Sequence, residues 1–222
     1  MRTLLAIYIL TFCTLIKAQN TPNCSRKVNF GDISICLPKI EEMNECYNQK
    51  IVKEKADKNE IEQTELLGFY LNDFVFGKID KLNEFDFDDY FKIYSFDFAK
   101  GINFKTSDLD KMSDMITGNG KLIGWDKIIK ELNNNPNSTI SFDRPIYVDK
   151  YVVNDKSRTS IFINRIKNND KQYYILGSIN TMVIKNRVIF LSYYLNFEDS
   201  SSLENFKKKN NEIVLKIQKA NQ

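Results

Sequence analysis

The stretch from Ile146 to Phe197 constrains this chain more than any other. Four runs rich in Ile, Val, Tyr and Phe follow one another there: Ile146 to Val153, Thr159 to Ile166, Tyr173 to Ile184 and Arg187 to Phe197. Branched and aromatic side chains suit the pleated, half-buried surface of a strand. The connections, Asn154-Asp155-Lys156-Ser157, Asn168-Asn169-Asp170 and Lys185-Asn186, are too short for a crossover helix. Links of that length join neighbouring antiparallel strands, so the segment is predicted to be a four-stranded meander. Ser200 to Ser202 then caps a last helix carrying Leu203, Phe206, Ile213, Val214, Ile217 and Ala220 on one stripe. Such a stripe needs a surface to cover, and one face of the meander is the nearest.

The chain before the meander alternates the two kinds of element. Residues 19 to 30 read as a polar arm, and Asp32 to Leu37 as a strand stopped by Pro38, which cannot donate to a ladder. Lys39 to Lys58 has Ile40, Met43 and Tyr47 at helical spacing and is predicted to be a short helix with a mobile tail. Glu65 to Asn72 and Tyr90 to Phe98 read as strands. In the second, Phe91, Ile93, Ser95 and Asp97 alternate against Tyr90, Lys92, Tyr94, Phe96 and Phe98. Ser107 is an N-cap for a helix over Leu109 to Ile116, which Gly118-Asn119-Gly120 ends. A second helix covers Trp125 to Leu132, and Asn133 to Asn137 is a loop. The expected fold is α+β: a mainly antiparallel sheet with a C-terminal meander and helices packed on it as an α/β/α sandwich.

In this order of elements the chain resembles secreted and periplasmic proteins with the PsbP-type α/β/α sandwich. The resemblance rests on the opening strand and proline (Ile33-Ser34-Ile35-Cys36-Leu37-Pro38) and the strand entry Asp143-Arg144-Pro145-Ile146-Tyr147-Val148. The hairpin around Lys185-Asn186 and the final helix complete it. It implies a non-catalytic accessory or binding role by analogy of fold.

The N-terminus supplies an address. Arg2, the mostly apolar run Leu4 to Ile16, and Ala18 after Lys17 have the layout of a secretory signal peptide cleaved after Ala18. The apolar run is shorter than the roughly 20 residues a membrane-spanning helix needs, so the mature chain is expected to carry no transmembrane helix. Residues 19–222 then form a single α+β domain, secreted or periplasmic. Cleavage removes Arg2 and Lys17 and no acid, which lowers the formal charge from +3 to +1. A near-neutral domain has no field to gather phosphates, so nucleic acid is not an expected partner.

Cys24, Cys36 and Cys46 survive cleavage, and an oxidising compartment pairs two of them. Cys24 with Cys46 is the expected pair, since it would pin the polar arm; Cys36, among Ile33, Ile35 and Leu37, suits a buried thiol.

Chemistry is narrowed by an absence: the chain has no histidine. Ser-His-Asp and Cys-His nucleophiles and His-ligated zinc are excluded. Glu84, Asp86, Asp88 and Asp89 form the densest acid cluster, interleaved with Phe85 and Phe87. An extended segment would put Asp86 and Asp88 on one face, the arrangement of a glycosidase pair. Calcium is the other use for such acids, but the glycine and late glutamate of an EF-hand loop are lacking. No glycine pattern marks a phosphate or dinucleotide cradle, so no cofactor is expected. Asp143 and Arg144 suit a salt bridge at a strand start better than an anion site. Tyr173-Tyr174 and Tyr193-Tyr194 place one ring of each pair on each sheet face, and exposed tyrosine favours contact sites. Two glycosylation sequons occur, at Asn23 and Asn137.

The reading that results is a secreted or periplasmic, non-catalytic binding or accessory protein, with another protein or an envelope component as partner. It acts through its sheet face or the Asn-rich loop. The rival reading is a histidine-free hydrolase using Asp86 and Asp88, and a calcium-dependent module is a third.

Overall fold

The computed structural model describes residues 23–58, 60–79, 89–118, 122–133, 144–168 and 171–222. Two antiparallel sheets carry the fold. The smaller is a hairpin of β1 (Cys24–Phe30) and β2 (Ile33–Pro38). The larger has seven strands: β3 (Met43–Glu45), β4 (Thr64–Asn72), β5 (Tyr90–Phe96), β6 (Ile146–Asn154), β7 (Ser157–Asn168), β8 (Lys171–Ile184) and β9 (Arg187–Asn196). Their spatial order is β3-β4-β5-β9-β8-β7-β6, with every neighbouring pair antiparallel. The helices of two turns or more are α1 (Lys50–Lys58), α2 (Leu109–Thr117), α3 (Trp125–Asn133) and the long α4 (Ser202–Ala220); a single turn covers Asp73–Phe76. The α+β class and the C-terminal meander expected from the sequence are the ones observed.

The meander forms because its links are tight. Lys185 and Asn186, at the β8–β9 link, both have positive φ, 47° and 62°. That pair of left-handed residues makes the turn whose twist matches two antiparallel strands. The hairpin register then turns Ser178, Asn180 and Tyr193 to one face, where α4 lies: Asn210 bonds to Ser178 and Asn180, and Phe206 stacks on Tyr193 at 4.7 Å. Phe206, Ile213, Val214 and Ile217 of α4 are buried, as the sequence stripe predicted. The β1–β2 hairpin covers the rest of this face beside α4. The Asn221 side chain fastens the two: it accepts from the Cys36 amide at 2.7 Å and donates to the Cys36 carbonyl at 2.8 Å. The opposite face carries Arg158, Ser160, Phe190, Ser192 and Tyr194. There α2 reaches the sheet through Asp110 on Arg158 and Asp114 on Lys150.

Three sequence expectations are corrected. The polar arm is in part a strand: residues 24–30 pair with β2. Its inward positions carry Arg26 beside Val28, so the alternation does not read as apolar. Arg26 is spent on a bidentate pair with the buried Glu45 carboxylate, at 2.8 and 3.0 Å. The helix over Lys39 to Lys58 is confined to Lys50–Lys58. Glu42 has φ 59°, which stops a right-handed helix, and Met43–Glu45 pairs with the end of β4. The disulfide joins Cys24 to Cys36, not Cys24 to Cys46. The hairpin register brings those Cα atoms to 5.4 Å, a normal disulfide span. Cys46 is the buried thiol and donates to the Phe69 carbonyl at 3.3 Å. Burial, followed by the charge of Glu45, pushes that thiol up to about 12.

Candidate functional site

The two tyrosine pairs of the sequence lead to different places. Tyr193 faces α4 and is fully buried. Burial raises its phenol above the usual range, and the Asp89 carboxylate beside it adds to the effect. Among the described residues neither the Tyr193 hydroxyl nor Asp89 Oδ1 makes a hydrogen bond of full geometry, although the two lie close together. Asp89 gives its other oxygen to Lys209 Nζ at 2.7 Å, and its backbone sits at φ 132°. Asp86 and Asp88 lie outside the described residues, as does Asp143; Arg144 is exposed.

Tyr194 turns the other way, into a second and larger aromatic assembly. Antiparallel register sets Tyr90 of β5 opposite Tyr194 of β9, and the two rings stack at 4.8 Å with planes 16° apart. Phe69 of β4 stacks on Tyr90 at 5.4 Å. On the far side Phe162 of β7 meets Tyr194 edge-on at 6.2 Å, and Tyr147 of β6 meets Phe162 at 6.0 Å. The belt therefore crosses the sheet from β4 to β6. It spans β8 only because residue 177 is glycine: a Cβ there would lie 2.2 Å from the Phe162 ring. The Tyr194 ring leans along its own strand, and its hydroxyl tip comes within hydrogen-bonding reach of Ser192 on β9.

Polar groups gather beside these rings. Lys92, one pleat from Tyr90 on the same face, pairs with Glu60 at 2.6 Å, and both side chains are largely buried, 16% and 11% exposed. The Lys92 ammonium lies 5.0 Å from the Tyr94 ring centre, and the Tyr94 hydroxyl meets Ser192 Oγ at 3.3 Å. The phenols of Tyr90, Tyr94 and Tyr194 are all held above the usual tyrosine range, first by burial. For Tyr90 the phenols of Tyr194 and Tyr173 and the Glu60 carboxylate follow; for Tyr94 and Tyr194 a hydrogen bond to Ser192 comes next and pulls the other way, ahead of Glu60 and the neighbouring phenols. Tyr90, Tyr94 and Tyr194 thus form, with Lys92, Glu60 and Ser192, one largely buried aromatic and polar cluster on this face of the sheet.

Glu60 belongs to this nest and also lines an adjoining cleft of about 490 Å³ with Tyr47, Asp57, Thr64, Glu65, Leu66, Asp97 and Lys100. The acids there are balanced. Lys100 bridges Glu65 and Asp97 at 2.7 Å each, which holds its ammonium up to about 12, Asp97 contributing most. Lys53 pairs with Asp57 at 3.1 Å, and both touch the Tyr47 hydroxyl at 2.8 Å. Ile61 and Phe98, next in the chain to Glu60 and Asp97, are 65% and 53% exposed. Strand alternation already placed Tyr90, Lys92 and Tyr94 on one face. Glu60 gave no signal, because it comes to Lys92 from the segment between α1 and β4.

No group of three or more acids and cysteines suited to a metal occurs among the described residues. None of their helices is long and apolar enough to cross a membrane. Comparison with protein-family models, curated proteins and solved structures finds no match.

Proposed function

We propose that this chain is an exported, non-catalytic binding protein, and that its ligand seats in the tyrosine nest and the cleft that meet at Glu60. The observation that carries the reading is that Glu60, paired with Lys92 in the aromatic cluster, also lines an open cleft with Tyr47 and acids that lysines balance. Ligand sites are mostly apolar recesses with a few converging polar groups, and groups with displaced protonation equilibria gather there. On the α4 face Asn180, Asn210, Ser178 and Thr159 bond to one another and, through Asn210, to the Tyr151 hydroxyl.

Export is supported by the signal-like N-terminus and by the Cys24–Cys36 disulfide, which suits an oxidising compartment. The PsbP-type sandwich belongs to the same proposal and is supported by the order of elements, with an accessory role in the envelope as its consequence.

Native mass spectrometry of the protein purified from its own extracytoplasmic fraction tests the reading. A retained mass is expected on the wild type and lost from Glu60→Gln and Tyr194→Phe. Bare protein in all three preparations would overturn it.

A further inference from the structure

We infer that the ligand class is a neutral, hydroxyl-rich molecule of the saccharide type; the inference rests on the binding reading above. Three observations select it. First, the acids of the site are matched by lysines: Glu60 by Lys92, Asp57 by Lys53, and Glu65 with Asp97 by Lys100. With at most one carboxylate in surplus, the site has no strong field with which to select an ion, and a charged ligand would have to shed its water against a balanced wall.

Second, donors and acceptors alternate along that wall. The Lys100 ammonium lies between two carboxylates, and the Tyr47 hydroxyl lies between the Lys53 ammonium and the Asp57 carboxylate. Hydroxyl groups on adjacent carbons each donate once and accept twice, so a pair of them spans a carboxylate and an ammonium at once. Hydrogen bonds with one charged partner are the stronger kind. The Tyr47 phenol adds a neutral tip that both donates and accepts.

Third, the size and texture fit. A cleft near 490 Å³ takes a molecule of one or two rings, and the half-buried Tyr47 lines it. Ring carbons that bear hydrogens on one side of a sugar pack on the apolar edges of such residues, while its hydroxyls reach the polar tips.

Saturation-transfer NMR with maltose, cellobiose and diacetylchitobiose at millimolar concentration tests the class. At least one disaccharide is expected to receive saturation from the wild type. Its Kd should weaken about tenfold or more in Glu60→Gln and in Tyr47→Phe, a loss of roughly 1.4 kcal/mol. Melting curves of the variants guard against misfolding, and Lys219→Met, on the exposed side of α4, should bind like the wild type. If no disaccharide registers but an Ala-Phe-Ala tripeptide does, with the same dependence on Glu60 and Tyr47, the saccharide class falls and the binding site stands. If neither probe registers and the purified protein carries no retained mass, both fall together.

Discussion

The ring of Phe162 lies on the backbone of Gly177, so close that a methyl group at position 177 would sit 2.2 Å from it. That contact lets the aromatic belt pass from β9 to β7 across a strand that contributes no side chain of its own.

Gly177→Ala should therefore displace Phe162 and cost about 1–3 kcal/mol, the usual price of overfilling a packed position. Urea unfolding measures it. A change near zero would mean that the belt accommodates the methyl group and is not continuous at β8.

The Lys92–Glu60 pair is buried enough that breaking it should cost more than removing it. Lys92→Met alone is expected to destabilise by about 3 kcal/mol, because Glu60 is left without its cation. Adding Glu60→Gln should restore most of the loss. Additive single effects in this double-mutant cycle would show that the two charges do not depend on each other.

Alkaline pH should unfold the protein cooperatively. Tyr70, Tyr90, Tyr94, Tyr193 and Tyr194 all have phenols raised in the folded state, chiefly by burial. The unfolded chain releases those protons near pH 10, while the native state holds them, so stability is intact below pH 10 and falls above it. Each such phenol contributes about 1.4 kcal/mol per pH unit in that range. Tyrosinate absorbance should rise together with the loss of near-ultraviolet circular dichroism. Smooth ionisation of all the tyrosines near pH 10, with structure intact, would contradict their burial.

Thiol chemistry separates the three cysteines of residues 19–222. In the native protein Cys46, buried and held protonated up to about pH 12, should not react with a thiol reagent at pH 8, and one thiol should appear on unfolding without reductant. Cys36→Ser should cost about 3 kcal/mol through the lost cross-link, read as a lower melting temperature. Two reactive thiols or more in the unfolded, unreduced protein would refute the Cys24–Cys36 pairing.

Asn210, fully buried in α4, holds together the polar network of the opposite face. Asn210→Ala should leave Ser178 and Asn180 short of partners and cost about 2–3 kcal/mol in a denaturant titration. Asn210→Leu should not recover the loss, since it adds bulk and no acceptor. Full stability of either variant would show that the network repairs itself.

Where periodicity and short links coincide, local sequence determined the structure. The meander, the stripe of α4, the strand over Tyr90 to Phe96 and the opposed faces of Tyr193 and Tyr194 follow from a two- or 3.6-residue repeat that any burial must respect. What only the tertiary structure decided is what lies far apart in the chain: Cys36 against Cys24 through a hairpin whose inner face carries Arg26, Met43–Glu45 recruited as an edge strand, and Glu60 set on Lys92. These depend on which surfaces are left to pair once the sheet has formed. No local propensity encodes that choice, because its free energy belongs to contacts between elements and not to any one of them.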